Sequence, residues 1–250
     1  GHFADVLKGF EIELDSNSYL SIAQRNTELG HLVNDTRAAK DGDVFCAVMG
    51  HDLNGNDFID SAIEKGVSLI LSECLQPAEH GDVSFHGDQK ITVICFYQLG
   101  FKLFDLASTY YQYPQNSLSM IGITGTNGKT STSQIIASLL ESQSKEAGVI
   151  GTTGAGTLHA LTPIANTTPG STELLTILSQ FDALNVKNVA MEVSSHALTQ
   201  RRVTGELFDI AVFTNLSRDH LDYHQTMDAY AAAKFSIFTL ESNQIAIVNG

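Results

Sequence analysis

Short β-branched segments alternate with longer segments of helical periodicity through the second half of the chain, and this alternation limits its possible folds more than any other feature. The strand-like segments are 119–124, 147–152, 186–193, 208–215 and 244–250. The helical segments between them are 131–141, 171–185 and 226–240. Such a pattern predicts right-handed crossovers and a parallel sheet with helices on both faces. Ligands of such sheets bind at the carboxyl ends of the strands.

The first part of the chain follows a smaller α/β pattern. Its apolar runs are 44–49, 67–72 and 91–96. Residues 100–113 then place apolar side chains at helical spacing, and Pro114 ends that helix. We therefore predict an N-terminal α/β domain over residues 1–97 and a larger parallel-sheet domain over residues 98–250, joined by this helix. Because the chain ends directly after a strand-like segment, we expect the second domain to be incomplete.

The amino-acid composition limits the classes of binding partner that the chain can have. The 250 residues include 28 acidic and 14 basic side chains, a net charge of −14 that repels nucleic acids and anionic membrane surfaces. A phosphate-bearing ligand must then be held by a local arrangement of donors. The three cysteines form no CxxC pair, and no leader-like or membrane-spanning segment is present in the sequence, so we expect a soluble cytoplasmic protein.

The strongest functional motif is GTNGKT at residues 125–130, between a predicted strand at Met120–Thr124 and a predicted helix at Ser131–Glu141. Glycines permit a tight turn whose N–H groups point at phosphate oxygens, and the helix N-terminus adds a favourable dipole. The spacing departs from GxxxxGK[ST] because Ile123 occupies the first glycine position, so an ordinary turn before a helix is the alternative. The candidate nucleotide ligands are Gly125, Thr126, Asn127, Gly128, Lys129, Thr130 and Ser131.

Within this motif the expected roles differ. Lys129 is expected to reach the β- and γ-phosphates, and the hydroxyl of Thr130 or Ser131 can bind magnesium.

Three further polar clusters follow predicted strands. NTTPG, at 166–170, precedes a helix, and a helix N-cap is its simpler interpretation. MEVSSHAL, at 191–198, places Glu192 in an apolar strand, where a carboxylate is costly unless it is paired or binds a cation. TNLSRDHLDYH, at 214–224, concentrates charged residues and histidines, which indicates either a metal and phosphate site or a solvated loop.

Magnesium suits these clusters better than zinc. The histidines form no HExxH motif and have no cysteine partner, whereas a carboxylate and hydroxyl groups beside a phosphate loop are typical magnesium ligands.

Together and in this order, GTNGKT, NTTPG, MEVSSHAL and TNLSRDHLDYH resemble the motifs of the Mur ligase family, in particular of its members that add the third amino acid to the UDP-linked muramoyl peptide. The stretch NDTRAAKDGDVFCAVMGHDLNGNDFI, from Asn34, is similar to the uridine-binding domain of those enzymes. One departure is Thr36, where the family commonly has serine, and the hydroxyl is retained. The resemblance extends over almost the whole chain.

The resemblance implies a role for individual residues. The uridine and diphosphate of the substrate would contact Asn34, Thr36, His51, Asp52 and Leu53. The muramoyl peptide would contact Asn166, Thr167, Thr168, Ser194, Gln200 and Arg202. The implied magnesium ligands are Thr130, Ser131, Glu192, His220 and Lys234, the last as a carbamylated lysine. Lys129, Glu192, His220 and Lys234 would be the catalytic residues.

The resemblance also implies an activity: ATP-dependent amide-bond formation through an acyl phosphate, joining a diamino acid, with diaminopimelate favoured over lysine, to a UDP-N-acetylmuramoyl dipeptide. The domain that recognises the incoming amino acid would follow these residues, and this part alone could be inactive. A monomer is the simplest expectation. A folylpolyglutamate synthase shares the phosphate-loop chemistry but not the uridine-binding segment, and a non-catalytic nucleotide-binding module is the alternative of a different class.

Overall fold

A computed structural model of the chain describes residues 2–18, 29–199, 205–215 and 245–248. The chain forms two compact units, Gly1–Gln112 and Tyr113–Gly250. The boundary predicted at residues 97 and 98 precedes the helix Leu99–Tyr110, which belongs to the first unit. Among the helices of the described ranges, none has both the length and the apolar composition required to cross a membrane.

The first unit is built on a five-stranded sheet. Its strands are β1 Leu32–Val33, β2 Val44–Ala47, β3 Leu69–Cys74, β4 Val83–His86 and β5 Ile91–Tyr97, in the order β1-β2-β3-β5-β4. All neighbouring pairs are parallel except β4 and β5. Its described helices include α1 His2–Gly9, α2 Ile59–Glu64 and α3 Leu99–Tyr110. One core cluster of this unit includes Phe45, Ile70 and Val93.

The second unit contains a seven-stranded sheet. Its strands are β6 Ser119–Thr124, β7 Ala147–Gly151, β8 Gly154–Thr157, β9 Ala160–Thr162, β10 Asn188–Glu192, β11 Ile210–Phe213 and β12 Ile245–Val248. The order is β12-β11-β6-β10-β7-β8-β9. Its described helices are α4 Lys129–Ser142, α5 Ser171–Ala183 and α6 Ser195–Thr199. The predicted α/β class with a parallel sheet is confirmed in β12, β11, β6, β10 and β7.

An antiparallel edge, β8 and β9, extends this sheet beyond β7 and was not predicted. Its strands are short and carry few apolar residues, so they lack the apolar runs by which the other strands are recognised.

The register of the parallel strands brings their carboxyl ends to one level. Glu192, the last residue of β10, pairs with Ile123, and Phe213, the last residue of β11, pairs with Thr124. β10 also pairs with β7 on its other side, where Met191 faces Ile150. Apolar residues of β6, β7 and β10, with Ala137 of α4, form a core cluster beneath this edge. The segments that follow β6, β7, β10 and β11 therefore start side by side.

Candidate functional site

The phosphate-loop motif connects β6 to α4 through a sharp turn. Gly128 adopts a left-handed conformation with φ 83°, and the helix begins directly after it, at Lys129. The predicted helix start at Ser131 was therefore two residues late, because a glycine able to adopt positive φ turns the chain into the helix earlier. Thr130 and Ser131 consequently lie in the first helical turn, where backbone N–H groups have no intrahelical acceptor.

Lys129 folds back over the loop that precedes it. Its Nζ donates hydrogen bonds to the carbonyl oxygens of Gly125, at 2.7 Å, and Thr126, at 3.5 Å. Burial lowers the pKa of the Lys129 ammonium below its ordinary value, and the Glu192 carboxylate opposes this shift. An anion that enters the site would favour the charged form of Lys129 again.

A cavity of about 470 Å³ opens over the carboxyl edge of the sheet. Six residues of the predicted phosphate loop and three from each of two predicted clusters line it together. The lining residues are Thr126, Asn127, Gly128, Lys129, Thr130, Ser131, Thr152, Asn166, Thr167, Thr168, Glu192, Ser194 and His196. The ends of the parallel strands β6, β7 and β10 thus contribute polar groups to one cleft, as expected for a ligand site of a parallel sheet.

Glu192 lies at the base of this cavity and is 2% exposed. Its Oε1 accepts a hydrogen bond from Thr130 Oγ1 at 2.8 Å, and its Oε2 accepts one from the Thr152 backbone N–H at 2.8 Å. Thr152 Oγ1 also donates to Oε1 at 3.3 Å. The carboxylate thereby joins the first turn of α4 to the end of β7, and these donors offset part of its burial cost.

Gly151 makes room for this carboxylate. A Cβ atom at position 151 would overlap the Glu192 side chain, so the last residue of β7 must be glycine for the observed contact to form. The tight approach explains why an acidic side chain can lie in an otherwise apolar strand next to β7.

The donor set of the cavity fits magnesium. Glu192 and Thr130 supply a carboxylate and a hydroxyl within hydrogen-bond distance of each other, and magnesium sites in phosphate-binding proteins use one or two carboxylates completed by phosphate oxygens and water. Within the described part of the chain, no group of three or more His, Cys, Asp or Glu side chains could form a metal site from protein ligands alone. The magnesium role of Thr130, Ser131 and Glu192 stays a prediction.

Residues of the NTTPG segment occupy two different positions. Asn166 and Thr167 line the cavity, and Thr167 Oγ1 lies 3.3 Å from Thr152 Oγ1. Thr168 is 1% exposed: its hydroxyl donates to the Glu192 carbonyl oxygen at 2.9 Å and accepts from the Ser194 N–H at 2.9 Å. The Thr168 hydroxyl therefore connects this segment to the end of β10.

Ser194 lies at the start of the following helix. Its Oγ accepts a hydrogen bond from the Ala197 N–H at 3.1 Å, which is the contact of a helix N-cap. Ser194 also lines the cavity, so its expected contact with the muramoyl peptide stays a prediction.

The candidate uridine-binding residues all belong to the first unit. Thr36 is buried and begins a short 3₁₀ helix, whereas Asn34 is exposed. His51, Asp52 and Leu53 form an exposed loop. This loop is closed by the Gly50 N–H, which donates to the Leu53 carbonyl oxygen at 2.8 Å, and the Glu73 carboxylate accepts from the Met49 N–H at 2.7 Å.

Four predicted site residues, Gln200, Arg202, His220 and Lys234, lie outside the described residues.

Two uncharged residues at the site escaped the sequence analysis as individual candidates. Thr152 bonds Glu192, and the Asn215 side chain bonds the phosphate loop. Thr152 directly follows β7, and Asn215 lies two residues after the end of β11. Their position at the carboxyl ends of parallel strands was the sequence signal that could have identified them. Neither carries a charge that distinguishes it from an ordinary turn residue.

Comparison with protein families finds two matching models. The Mur ligase middle domain matches residues 123–250, and the model described as Mur ligase family, catalytic domain, matches residues 29–93. The first match contains the whole cavity described above.

Curated relatives and a solved structure agree with these matches. A UDP-N-acetylmuramoyl-L-alanyl-D-glutamate–2,6-diaminopimelate ligase of Haemophilus influenzae is 43% identical over 226 residues, 90% of this chain and 46% of that protein. The protein of that name from Vibrio cholerae serotype O1 is 46% identical over 219 residues, 88% of this chain and 43% of its own length. A solved structure of the same name has a TM-score of 0.67 at 31% identity, over 88% of this chain and 43% of the other.

The chain spans about half the length of the curated relatives it matches. The middle-domain match alone covers just over half of its 250 residues. The resemblance seen in the motifs is thereby confirmed, and the chain belongs to the Mur ligase family.

Proposed function

We propose that the protein containing this chain is an ATP-dependent ligase that adds meso-diaminopimelate to UDP-N-acetylmuramoyl-L-alanyl-D-glutamate in the cytoplasm. The observation that carries the proposal is the single cavity where Lys129, Thr130 and Glu192 meet the Asn166–Thr168 segment. Relatives at 43% and 46% identity bear the name of this activity. The product would be the muramoyl tripeptide, a precursor of the bacterial cell wall.

In the proposed first step, an oxygen of the terminal D-glutamate carboxylate attacks the γ-phosphorus of ATP, and ADP leaves. The product is an acyl phosphate, which has a far better leaving group than a carboxylate oxygen. Two anions must approach each other, so the site has to position them and neutralise charge. Lys129 supplies a cation, and the N–H groups of the first turn of α4 supply donors.

In the second step, the amine of the incoming amino acid attacks the acyl carbon. A tetrahedral intermediate forms and collapses, an amide bond is made, and inorganic phosphate leaves with one oxygen of the original carboxylate. The amine loses a proton to solvent or a base. Asn166 and Thr167, which line the same cavity, would orient the acyl group.

Bound magnesium would supply positive charge that offsets the charge developing on the phosphates. Thr130, Ser131 and Glu192, with His220 and a carbamylated Lys234, are the residues we propose to hold it. Carbamylation converts the cationic amine of a lysine into an anion, which suits a position near metal and phosphates. Gln200 and Arg202 would contact the peptide, and Arg202 offers a planar fork for a carboxylate.

The first unit would bind the UDP part of the substrate. Asn34, Thr36 and the exposed loop His51–Leu53 are the proposed contacts, and all of them lie within the family match over residues 29–93. Because the net charge of −14 repels nucleic acids and anionic membrane surfaces, we propose that neither is a partner. We also propose that the protein is a monomer.

Thermal unfolding of the full-length protein tests the proposed substrates. We expect UDP-N-acetylmuramoyl-L-alanyl-D-glutamate to raise the melting temperature, since a ligand at 100 times its Kd stabilises by about 2.7 kcal/mol. ATP with magnesium should raise it further. UDP alone and a reduced folate serve as controls.

The alternatives give different results in the same experiment. A folylpolyglutamate synthase would be stabilised by the folate and not by the muramoyl dipeptide. A nucleotide-binding module would respond to ATP alone. A melting temperature that does not change with millimolar UDP-N-acetylmuramoyl-L-alanyl-D-glutamate would contradict the proposal.

A further inference from the structure

The two residues that follow β11, Thr214 and Asn215, form hydrogen bonds with the phosphate loop. Asn215 Oδ1 accepts hydrogen bonds from the backbone N–H groups of Thr126, at 3.0 Å, and Asn127, at 2.9 Å. Thr214 Oγ1 donates to the Asn127 carbonyl oxygen at 2.7 Å. Three consecutive peptide groups of the loop, between residues 125 and 128, are therefore bonded by side chains that follow a neighbouring strand.

This arrangement changes the expected use of the loop. The sequence predicts that the N–H groups of the glycine-containing turn point at phosphate oxygens, but those of Thr126 and Asn127 point at Asn215 instead. The N–H groups directed at a phosphate would then be those that begin α4, after Gly128. Asn215 thus fixes residues 126 and 127, whose N–H groups do not face the anion. The N–H groups that would bind the anion are those at the start of α4.

Gly125 packs closely against the two residues that follow β11. Gly125 adopts φ 140°, and a Cβ atom at this position would overlap Thr214 Oγ1 and approach the Asn215 backbone N at 2.9 Å. Lys129 Nζ bonds the Gly125 carbonyl oxygen from the other side, at 2.7 Å. Loop, lysine and strand end form one hydrogen-bonded assembly.

We propose that Asn215 is a positioning residue that preorganises the phosphate loop for nucleotide, acting through the peptide groups of residues 126 and 127. The proposal rests on the proposed function, in that the ligand of the loop is a nucleotide phosphate. An amide side chain suits the task because its carbonyl oxygen accepts two N–H groups without a charge. Aspartate would present the same acceptors but would place a negative charge beside the anion site.

Nucleotide binding by full-length variants tests this proposal. Asn215→Ala should weaken ATP binding roughly tenfold, since the Asn127 N–H loses its side-chain acceptor and the Thr126 N–H keeps only the Asn215 backbone carbonyl oxygen, at 3.2 Å. Its affinity for the UDP-muramoyl dipeptide, measured in the same preparation, should stay within about twofold of wild type. The exposed Asn116 provides a matched control, and Asn116→Ala should bind both ligands as wild type does.

Asn215→Asp separates the hydrogen-bond role from charge and serves if the alanine variant fails to fold. This variant should fold normally and bind ATP more weakly than wild type. The ratio of its Kd for ATP to the wild-type Kd should fall as the salt concentration rises, because salt screens the repulsion between the introduced carboxylate and the phosphates. For Asn215→Ala that ratio should not change with salt. If wild type binds ATP and either Asn215→Ala or Asn215→Asp binds it equally well, the inference is overturned and the proposed function stands. If wild type does not bind ATP, the proposed function is overturned and the inference with it.

Discussion

Replacing Lys129 with alanine is expected to lower the ATP-dependent turnover of the full-length ligase roughly 10²- to 10³-fold, the loss typical for removal of a preorganised electrostatic contact. Lys129 is at the first position of α4, and its Nζ lies 2.7 Å from the Gly125 carbonyl oxygen, over the phosphate loop. In a chain with a net charge of −14, a triphosphate depends on such local cations. Phosphate release under saturating substrates measures the effect.

The stability of the Lys129 variants should not follow their activity. Burial lowers the pKa of Lys129 in the folded protein, so the charged amine disfavours folding at every pH below that lowered pKa. The cost fades as pH rises from the lowered pKa toward the ordinary value of 10.5. At neutral pH, Lys129→Met should therefore melt near or above the wild-type temperature while turnover is lost. Turnover within about threefold of wild type in either variant would refute the role of Lys129.

Replacing Glu192 has the second large effect, and two variants separate charge from structure. Glu192→Gln keeps the size and an acceptor for the Thr152 N–H but removes the negative charge. We expect its turnover to fall roughly 10²-fold or more and to recover in part at raised magnesium concentration. The measurement is turnover against magnesium, with Glu146→Gln, an exposed carboxylate of the same unit, as the matched control.

Glu192→Ala should in addition destabilise the protein. Removing the carboxylate removes the acceptor of the Thr152 N–H and the Thr130 hydroxyl, and a hydrogen bond to a charged group contributes about 1.5–3 kcal/mol. Chemical unfolding of the two variants compares these costs. A Glu192→Gln enzyme with wild-type turnover at low magnesium would show that the carboxylate charge has no part in the reaction.

Most of the fold could be predicted because the buried strands are marked by simple patterns. Strands covered on both faces must be apolar throughout, so β6, β7 and β10 are visible as short β-branched runs. Glu192 stands out because it interrupts one of these runs. The antiparallel β8 and β9 carry no such signal, since a short edge hairpin needs few apolar residues.

The sequence predicted that several of the candidate site residues lie together at one edge of the sheet, but not their contacts. Which strand ends meet follows from topology, yet the use of each hydroxyl and amide depends on register and backbone direction. Thr168 was predicted as a substrate contact, but its hydroxyl bonds two backbone groups of the 192–194 segment. Asn215 was not singled out because a side-chain amide after a strand is common in turns.

The central claim is that ATP phosphorylates the substrate carboxylate at this cavity, and oxygen transfer tests it most directly. UDP-N-acetylmuramoyl-L-alanyl-D-glutamate labelled with ¹⁸O in its terminal carboxylate would be turned over by the full-length enzyme with ATP and diaminopimelate. We expect the released phosphate to carry one ¹⁸O for each amide bond formed with wild type, and neither product nor labelled phosphate to accumulate above about one hundredth of that rate with Lys129→Ala. Phosphate free of ¹⁸O during wild-type turnover, or full transfer in the Lys129 variant, would contradict the account.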